Sequence, residues 1–292
     1  MGSMVAVDEK TGRKFTLDEP DDYKPGEKVT FLLSLHGGGS VGAWQHAYFP
    51  ADDYKNKYRL VIATPSAATK EPARRWVGEA DDEHLKNIVN MVFEKYGKQN
   101  IERFWLVGHS QGGMTSRRLL AESKFFQDRV DGFLSLSGGR IGTAERAPGF
   151  SLPMPPGVTR TMPAFPALPD ITCDISHIFT TGEYEIANLP ETSPLAAKYS
   201  AGARERRADI VDTVGGKIHD TTRESYSNKG WGFKPGPGRA EVFVYPNANG
   251  GRVIADVVRM NKGHTEGLEP KVTEELIKLI VSSSGGKAHA AA

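Results

Sequence analysis

The stretch FWLVGHSQGGMTSRRLL, residues 104–120, constrains the fold of this chain more than any other. Four apolar residues lead directly into Ser110, which lies between Gly108 and Gly112, and a helix-forming segment follows without a loop. A strand-to-helix turn this tight strains the backbone of its central residue and needs neighbours that are nearly free of side chains. The pattern predicts a turn that exposes the Ser110 hydroxyl at the carboxyl end of a strand. Taken alone, it is also compatible with a tight turn that contains an incidental serine.

A serine hydroxyl needs a general base to act as a nucleophile at neutral pH. Among the eight histidines, His264 in RMNKGHTEGLEP is the one that lies between the last predicted strand and the last predicted helix. That position puts it on a loop at the carboxyl edge of the predicted sheet. A loop histidine is often only a solvated surface residue, but the serine turn favours His264 as the base.

The base in turn needs a carboxylate that orients it. The segment ISHIFTTGEYEIANLP supplies two candidates, Glu183 and Glu185, after a predicted strand and Gly182. Glu185 is the preferred acid because it occupies the third position after the glycine, where such loops commonly place it. Glu183 is the alternative, and either residue could instead be a solvated loop charge.

A glycine-rich turn, in LSLHGGGSVGAW, follows another predicted strand. Glycines allow backbone N–H groups to turn inward, where they can stabilise the oxyanion of a tetrahedral intermediate. We predict the N–H of Gly38 as one donor, with Gly39 as a lesser candidate, and the N–H of Gln111 as the other. The turn could also cradle a phosphate, but neither a Walker lysine nor a spaced GxGxxG accompanies it.

Strand-like and helix-like segments alternate over most of the chain. The segment DDEHLKNIVNMVFEKYGK carries apolar residues at helical spacing and ends at Gly97, which is suited to a helix C-cap. The alternation predicts an α/β fold with a mostly parallel sheet covered by helices on both faces. Strands are predicted at 29–35, 59–64, 104–107, 132–137, 175–181, 241–245 and 253–260.

Two segments interrupt the alternation. Residues 148–170 contain seven prolines together with Phe, Met and Leu, which predicts an ordered flap, with a long surface excursion as the alternative. The second segment, NKGWGFKPGPG, contains Trp231. We predict one catalytic domain over 28–284, an N-terminal segment over 1–27 that begins with a vector-derived Met-Gly-Ser, and a disordered tail over 285–292.

Charge and cysteine content exclude several classes of protein. The 37 basic and 36 acidic residues nearly cancel and form no basic tract, so we expect no nucleic-acid partner. The only cysteine, Cys173, excludes an intramolecular disulfide framework and a cysteine-rich metal site. We expect no metal and no cofactor. No apolar run is long enough for a membrane span, and no signal peptide is evident, so we expect a cytoplasmic protein unless an export signal has been removed.

The segments HGGG, GHSQG, GEYE and GHT follow one another in the order of oxyanion loop, nucleophile, acid and base. In this order the chain resembles the α/β-hydrolase superfamily over about residues 28–284. Within it, the chain is similar to the esterases grouped with poly(3-hydroxybutyrate) depolymerases and feruloyl esterases, through RRWVGEADDEHLKNIVN, IERFWLVGHSQGG and AEVFVYPNANGGRVIADVVRMNKGHTEG. The resemblance implies cofactor-free hydrolysis of carboxylic esters, often with an aromatic or polymeric acyl part.

These features predict a serine carboxylesterase that acts on a small-molecule or polymeric ester through an acyl-enzyme. Two alternatives stay open, namely a peptidase or amidase that uses the same machinery, and a non-catalytic binding protein that retains the pocket. Four residues are candidates for contact with the substrate, although a tryptophan more often belongs to the core than contacts a ligand. They are Trp44, Trp76, His109 and Trp231.

Overall fold

The computed structural model describes residues 3–71, 73–150, 168–218, 231 and 236–291. Within these residues an 11-stranded sheet runs through the molecule, and a separate two-stranded sheet lies beside it. The strands are β1 (Ser3–Asp8), β2 (Arg13–Asp18), β3 (Val29–Leu35), β4 (Leu60–Pro65), β5 (Ile101–His109), β6 (Gly132–Leu136), β7 (Glu145–Arg146), β8 (Ser176–Gly182), β9 (Ile186–Asn188), β10 (Glu205–Arg206), β11 (Ile210–Val211), β12 (Arg239–Val244) and β13 (Ile254–Arg259).

Helices connect most of the central strands. The α-helices are α1 (Gly42–Tyr48), α2 (Lys55–Tyr58), α3 (Gly78–Tyr96), α4 (Gln111–Glu122), α5 (Lys124–Gln127), α6 (Pro194–Lys198), α7 (Pro270–Ser282) and α8 (Lys287–Ala290). Short 3-10 turns occur at Ala51–Tyr54, Lys98–Asn100, Glu183–Glu185 and Asn249–Gly251.

The strand order of the large sheet is β1-β2-β4-β3-β5-β6-β8-β13-β12-β10, with β11 also paired to β12. The strands from β4 to β13 in this order are mutually parallel, whereas both ends of the sheet are antiparallel. Every residue of β3, β4 and β8 is buried, as expected for central strands that are covered on both faces. The predicted mostly parallel sheet is confirmed.

The apolar side chains form two clusters on opposite faces of this sheet. Along β3, Phe31 and Leu33 belong to one cluster and Leu32 to the other, because alternate side chains of a strand point to opposite faces. The buried face of α3 packs into the first cluster and that of α7 into the second. Helices therefore cover both faces, as predicted.

The N-terminal segment departs from the prediction, which placed it outside the catalytic domain. Strands β1 and β2 form a hairpin, and β2 pairs with β4 to extend the large sheet. Phe15 and Leu17 of β2 are buried, whereas Met4, Val5 and Val7 of the edge strand β1 are exposed. An edge strand buries few side chains, so its apolar alternation is too weak to predict a strand.

The C-terminal tail also departs from the prediction, because part of it is helical. In α8 and just after it, Ala288 and Ala291 are buried, and the N–H of Lys287 donates to Asp131 Oδ1 at 3.1 Å. The predicted disorder rested on the small polar composition of the tail, which does not reveal such contacts. Among the residues that the structure describes, no helix combines the length and apolarity needed to cross a membrane.

Candidate active site

Ser110 lies at the junction of β5 and α4 in a strained backbone conformation, with φ 52° and ψ −117°. Its N–H donates to the carbonyl of Leu136 at 2.9 Å. The flanking glycines are sterically required: a Cβ on Gly108 would lie 2.3 Å from the carbonyl carbon of Gly112, and one on Gly112 would lie 2.3 Å from the carbonyl oxygen of Leu35. The turn therefore has the tight geometry that its spacing predicts.

His264 lies between β13 and α7, and it faces Glu185, which follows β8. The Nδ1 of His264 donates to Glu185 Oε2 at 2.6 Å, and the two residues are only 4% and 6% exposed. An ionised carboxylate can only accept hydrogen bonds, so Nδ1 carries the proton. The other oxygen of Glu185, Oε1, accepts from Ser137 Oγ at 2.6 Å and from the N–H of Gly182 at 2.9 Å.

The environment of Glu185 favours its ionised form. Burial alone would raise the pKa of this carboxyl, but the proximity of His264 and the hydrogen bonds from His264, Ser137 and Gly182 bring the pKa below its ordinary value. A carboxylate that stays ionised beside an imidazole can orient the ring and stabilise it when it becomes protonated.

Glu183, the alternative acid, contacts the backbone of the histidine loop instead. Its Oε2 accepts from the N–H of Asn261 at 2.7 Å. Tyr184 makes two further bonds to the same loop, from its N–H to the Lys262 carbonyl at 3.1 Å and from its hydroxyl to Asn261 Oδ1 at 2.9 Å. The acid loop and the histidine loop are thus joined directly before His264.

Aromatic rings surround the imidazole of His264. Trp231 stacks on it with ring centroids 4.8 Å apart and an interplanar angle of 25°, and the Phe150 ring meets it edge-on at 5.8 Å. The Nε2 of His109 donates to the His264 carbonyl at 2.9 Å, and burial lowers the pKa of His109 so that its ring is neutral. The Nε2 of His264 is buried and has no hydrogen-bond partner within the described ranges, so it is the nitrogen suited to accept a proton.

The glycine-rich turn after β3 lies against the start of α4. A Cβ on Gly38 would lie 3.6 Å from Gln111 Oε1. The Gly39 N–H donates to the Arg74 carbonyl at 2.6 Å, whereas no backbone carbonyl of the described residues accepts the N–H of Gly38. Gln111 is the first residue of α4, where backbone N–H groups have no intrahelical acceptor. The geometry therefore favours Gly38 over Gly39 as a donor to a bound oxyanion.

The residue that fixes this turn, His36, was not predicted from the sequence. Its Nδ1 donates to the Gly37 carbonyl at 2.7 Å and its Nε2 accepts from the N–H of Ala67 at 2.9 Å. Burial lowers the pKa of His36 to about 4, which keeps the ring neutral as this bonding requires. Trp76 completes the support, since its indole N–H donates to the His36 carbonyl at 2.8 Å and its backbone N–H to Gln111 Oε1 at 3.1 Å. The only sequence signal was the histidine that precedes the three glycines.

The four predicted substrate contacts lie in different surroundings. Trp76 is 6% exposed and belongs to a core cluster, which leaves little of its surface for a ligand. Trp44 is partly buried and meets Tyr48 edge-on at 6.4 Å. The structure brings the other two, His109 and Trp231, against the ring of His264.

Residues 151–167 of the predicted flap lie outside the described residues. At its start, the ring of Phe150 contacts His264, and the Arg146 guanidinium lies 4.6 Å above the Phe150 ring. At its end, Arg117 donates to the carbonyls of Pro169 at 2.8 Å and Leu168 at 3.4 Å. One described end of this segment therefore lies directly beside the imidazole.

No group of three or more His, Cys, Asp or Glu side chains that could hold a metal ion occurs within the described part of the chain. The arrangement found there is a strained serine at a strand-to-helix turn with a His–Glu pair at the same edge of a mostly parallel sheet. This combination of fold and site defines an α/β-hydrolase architecture. The sequence model of the alpha/beta hydrolase fold family matches residues 31–229, and the chain belongs to that family.

Several solved structures are similar to the chain. The acetyl xylan esterase from Aspergillus awamori superposes with a TM-score of 0.53 at 11% identity, covering 96% of this chain and 100% of that chain. The feruloyl esterase module from Clostridium thermocellum has a TM-score of 0.39 at 14% identity, covering 62% and 66% of the two chains. Native esterase 2 from Thermogutta terrifontis has a TM-score of 0.41 at 14% identity, covering 62% and 70%. At these identities the likeness concerns the fold alone. No curated protein matches in sequence.

Proposed function

We propose that the chain is a serine carboxylesterase in which Ser110 is the nucleophile, His264 the general base and Glu185 the orienting acid. One observation carries the proposal: the 2.6 Å hydrogen bond between His264 Nδ1 and Glu185 Oε2 is buried, on loops at the edge where the Ser110 turn lies. It leaves His264 Nε2 to take the proton of a nucleophilic hydroxyl.

The reaction follows from these roles. Ser110 Oγ attacks the ester carbonyl carbon and passes its proton to His264 Nε2, while Glu185 stabilises the imidazolium. The backbone N–H groups of Gly38 and Gln111 stabilise the oxyanion, and one such donor contributes about 3–4 kcal/mol in known enzymes. Collapse of this intermediate releases the alcohol with the proton from His264, and water repeats the sequence on the acyl-enzyme.

We further propose esters with an aromatic or polymeric apolar part as the substrates. Two aromatic residues, Trp231 and Phe150, flank the reacting imidazole. Next to the oxyanion loop, Val41 and Val77 are 38% and 45% exposed. Such a surface favours an apolar group on either side of the ester bond. The names of the acetyl xylan esterase and the feruloyl esterase among the similar structures state that those proteins act on esters. This agrees with the proposal but does not carry it.

Turnover of p-nitrophenyl acetate, butyrate and longer acyl esters, beside p-nitrophenyl benzoate and a matched anilide, tests this proposal. Ester hydrolysis that is lost in Ser110→Ala, with the anilide left intact, supports an esterase. Comparable hydrolysis of the anilide favours the peptidase or amidase alternative. No turnover of any substrate, combined with no reaction of Ser110 with a phosphonate, favours a non-catalytic binding protein.

A further inference from the structure

We propose that Ser137 is a positioning residue of this site, whose hydroxyl holds the Glu185 carboxylate in the orientation that His264 requires. The inference rests on the proposed function, because it concerns how the acid of that triad is kept in place. Ser137 follows the last residue of β6 and lies in neither of the loops that carry the acid and the base.

The backbone of Ser137 indicates that its side chain is needed. Its φ is +54°, in the left-handed region that favours glycine, and this conformation costs a residue with a side chain about 1–2 kcal/mol. The Ser137 N–H donates to the Thr180 carbonyl at 2.8 Å, which anchors the turn to β8. A serine in a backbone conformation that favours glycine suggests a role for its hydroxyl.

That hydroxyl makes one of three contacts that fix the acid. Ser137 Oγ donates to Glu185 Oε1 at 2.6 Å, and the N–H of Gly182 donates to the same oxygen at 2.9 Å. Oε2 is thereby left to His264. The terminal torsion of a glutamate is broad and poorly defined by itself, so two donors on one oxygen are an effective way to set it.

The surroundings of Glu185 also offer the carboxylate a competing orientation. A cavity of about 70 Å³ lies beside it, with Ser137, Arg140 and Arg146 among the lining residues. Arg140 is bound to Asp256 at 2.8 Å, so the charge that favours a carboxylate turned towards the cavity is that of Arg146, which interacts electrostatically with Glu185. Without the Ser137 hydroxyl, the Glu185 carboxylate can therefore rotate into this cavity, away from His264.

Two substitutions separate the hydroxyl from the backbone. Ser137→Gly removes the hydroxyl and relieves the left-handed strain, whereas Ser137→Ala removes the hydroxyl and keeps the strain. If the hydroxyl positions the acid, both variants lose about tenfold or more in kcat on p-nitrophenyl acetate with KM nearly unchanged, since a hydrogen bond to a charged group is lost. Ser135→Ala is the control, because it removes a hydroxyl of the preceding strand β6 that does not contact Glu185. The Ser135 hydroxyl donates to the Gly139 carbonyl at 2.8 Å and accepts from the N–H of Gly138 at 3.2 Å.

The pH dependence of kcat/KM distinguishes a positioning role of Ser137 from a purely structural one, because a structural role would leave it unchanged. If Glu185 turns away from His264, the protonated imidazole loses the carboxylate that stabilises it. The acid limb of kcat/KM, which reports protonation of the general base, therefore shifts to lower pH in both Ser137 variants and not in Ser135→Ala. Thermal unfolding verifies that each variant is folded, with Ser137→Gly no less stable than Ser137→Ala.

Wild-type kcat and an unmoved acid limb in Ser137→Gly would overturn the inference. So would a loss confined to Ser137→Ala, because the backbone and not the hydroxyl would then be responsible. Failure of the proposed function gives a different result, because the wild-type protein itself would neither hydrolyse p-nitrophenyl acetate nor react with a phosphonate at Ser110. The inference about Ser137 would then be contradicted as well.

Discussion

Glu183 and Glu185 face different partners although they lie in the same short turn. Glu185 accepts from His264 Nδ1 at 2.6 Å, whereas Glu183 accepts from the backbone N–H of Asn261 at 2.7 Å. The residues form a 3-10 turn, in which positions two apart point in different directions. One carboxylate therefore faces the imidazole, and the other ties the acid loop to the histidine loop.

Neutral, isosteric substitutions distinguish these two carboxylates. Glu185→Gln should lower kcat by about a hundredfold or more, because an amide cannot stabilise the imidazolium that forms on His264. Glu183→Gln keeps an oxygen that can accept from Asn261 and should cost less than about tenfold. Steady-state kinetics on p-nitrophenyl acetate measure both. The reverse ranking would assign the acid to Glu183, and two small, equal effects would place the acid on another loop.

The choice between these glutamates shows where sequence patterns stop being informative. The spacing around Ser110 and the strand at 29–35 predicted local structure, because their signals lie within a few neighbouring residues. The sequence favoured Glu185 but left Glu183 open, since the direction of each side chain depends on the turn and on Asn261, far along the chain. Ser137 gave no signal because a left-handed serine looks like any other serine in a sequence. The hairpin β1–β2 was missed because an edge strand buries too little.

Glu266, two residues after His264, gives the fold a distinct pH dependence. Both of its carboxylate oxygens are buried without a hydrogen-bond partner among the described residues, and Lys262 Nζ lies 3.5 Å away. Burial raises the pKa of Glu266 to about 7, a rise that Lys262 and Arg259 oppose and Glu269 reinforces. The folded state thus binds an extra proton between the ordinary pKa of 4.5 and about 7, so the free energy of unfolding falls as pH rises through this range.

Substitution by glutamine removes the charge that folding must bury. We expect Glu266→Gln to have a higher Tm than the wild-type protein above pH 7, with the difference shrinking towards pH 5, where the wild-type carboxyl is protonated in the folded state. Thermal unfolding between pH 5 and 8 checks this. A Tm difference that is the same at both ends of the range would show that the Glu266 charge does not control it.

Trp231 is predicted to influence which esters the site accepts. Its ring stacks on His264 at 4.8 Å, whereas Trp44 contacts Tyr48. If Trp231 contacts the substrate, Trp231→Leu should lower the ratio of kcat/KM for p-nitrophenyl benzoate over acetate by about fivefold, from the loss of an aromatic contact. Trp44→Leu serves as the comparison and should change the ratio less. Equal proportional losses on both esters would mean that Trp231 supports the imidazole and not the substrate.

Removal of the Ser110 hydroxyl should abolish turnover without disrupting the fold. The strain lies in the backbone, with φ 52°, so Ser110→Ala should leave Tm nearly unchanged, and Ser110→Gly should raise it because glycine adopts this conformation without cost. Both variants should lose about a thousandfold or more in kcat. A large fall in Tm in either variant would show that Ser110 has a structural role that the backbone conformation does not suggest.

Covalent labelling with a fluorophosphonate tests the central claim most directly, because the probe reacts with an activated serine whichever ester is the substrate. Intact mass and peptide mapping should find one adduct, on Ser110, in the wild-type protein. Ser116→Ala is the matched control: Ser116 lies in α4, the helix that Ser110 precedes, and its hydroxyl donates to the Gly112 carbonyl at 2.9 Å. We expect this control to be labelled like the wild-type protein and Ser110→Ala not to be labelled. An adduct on another serine, or one that persists in Ser110→Ala, would contradict the central claim.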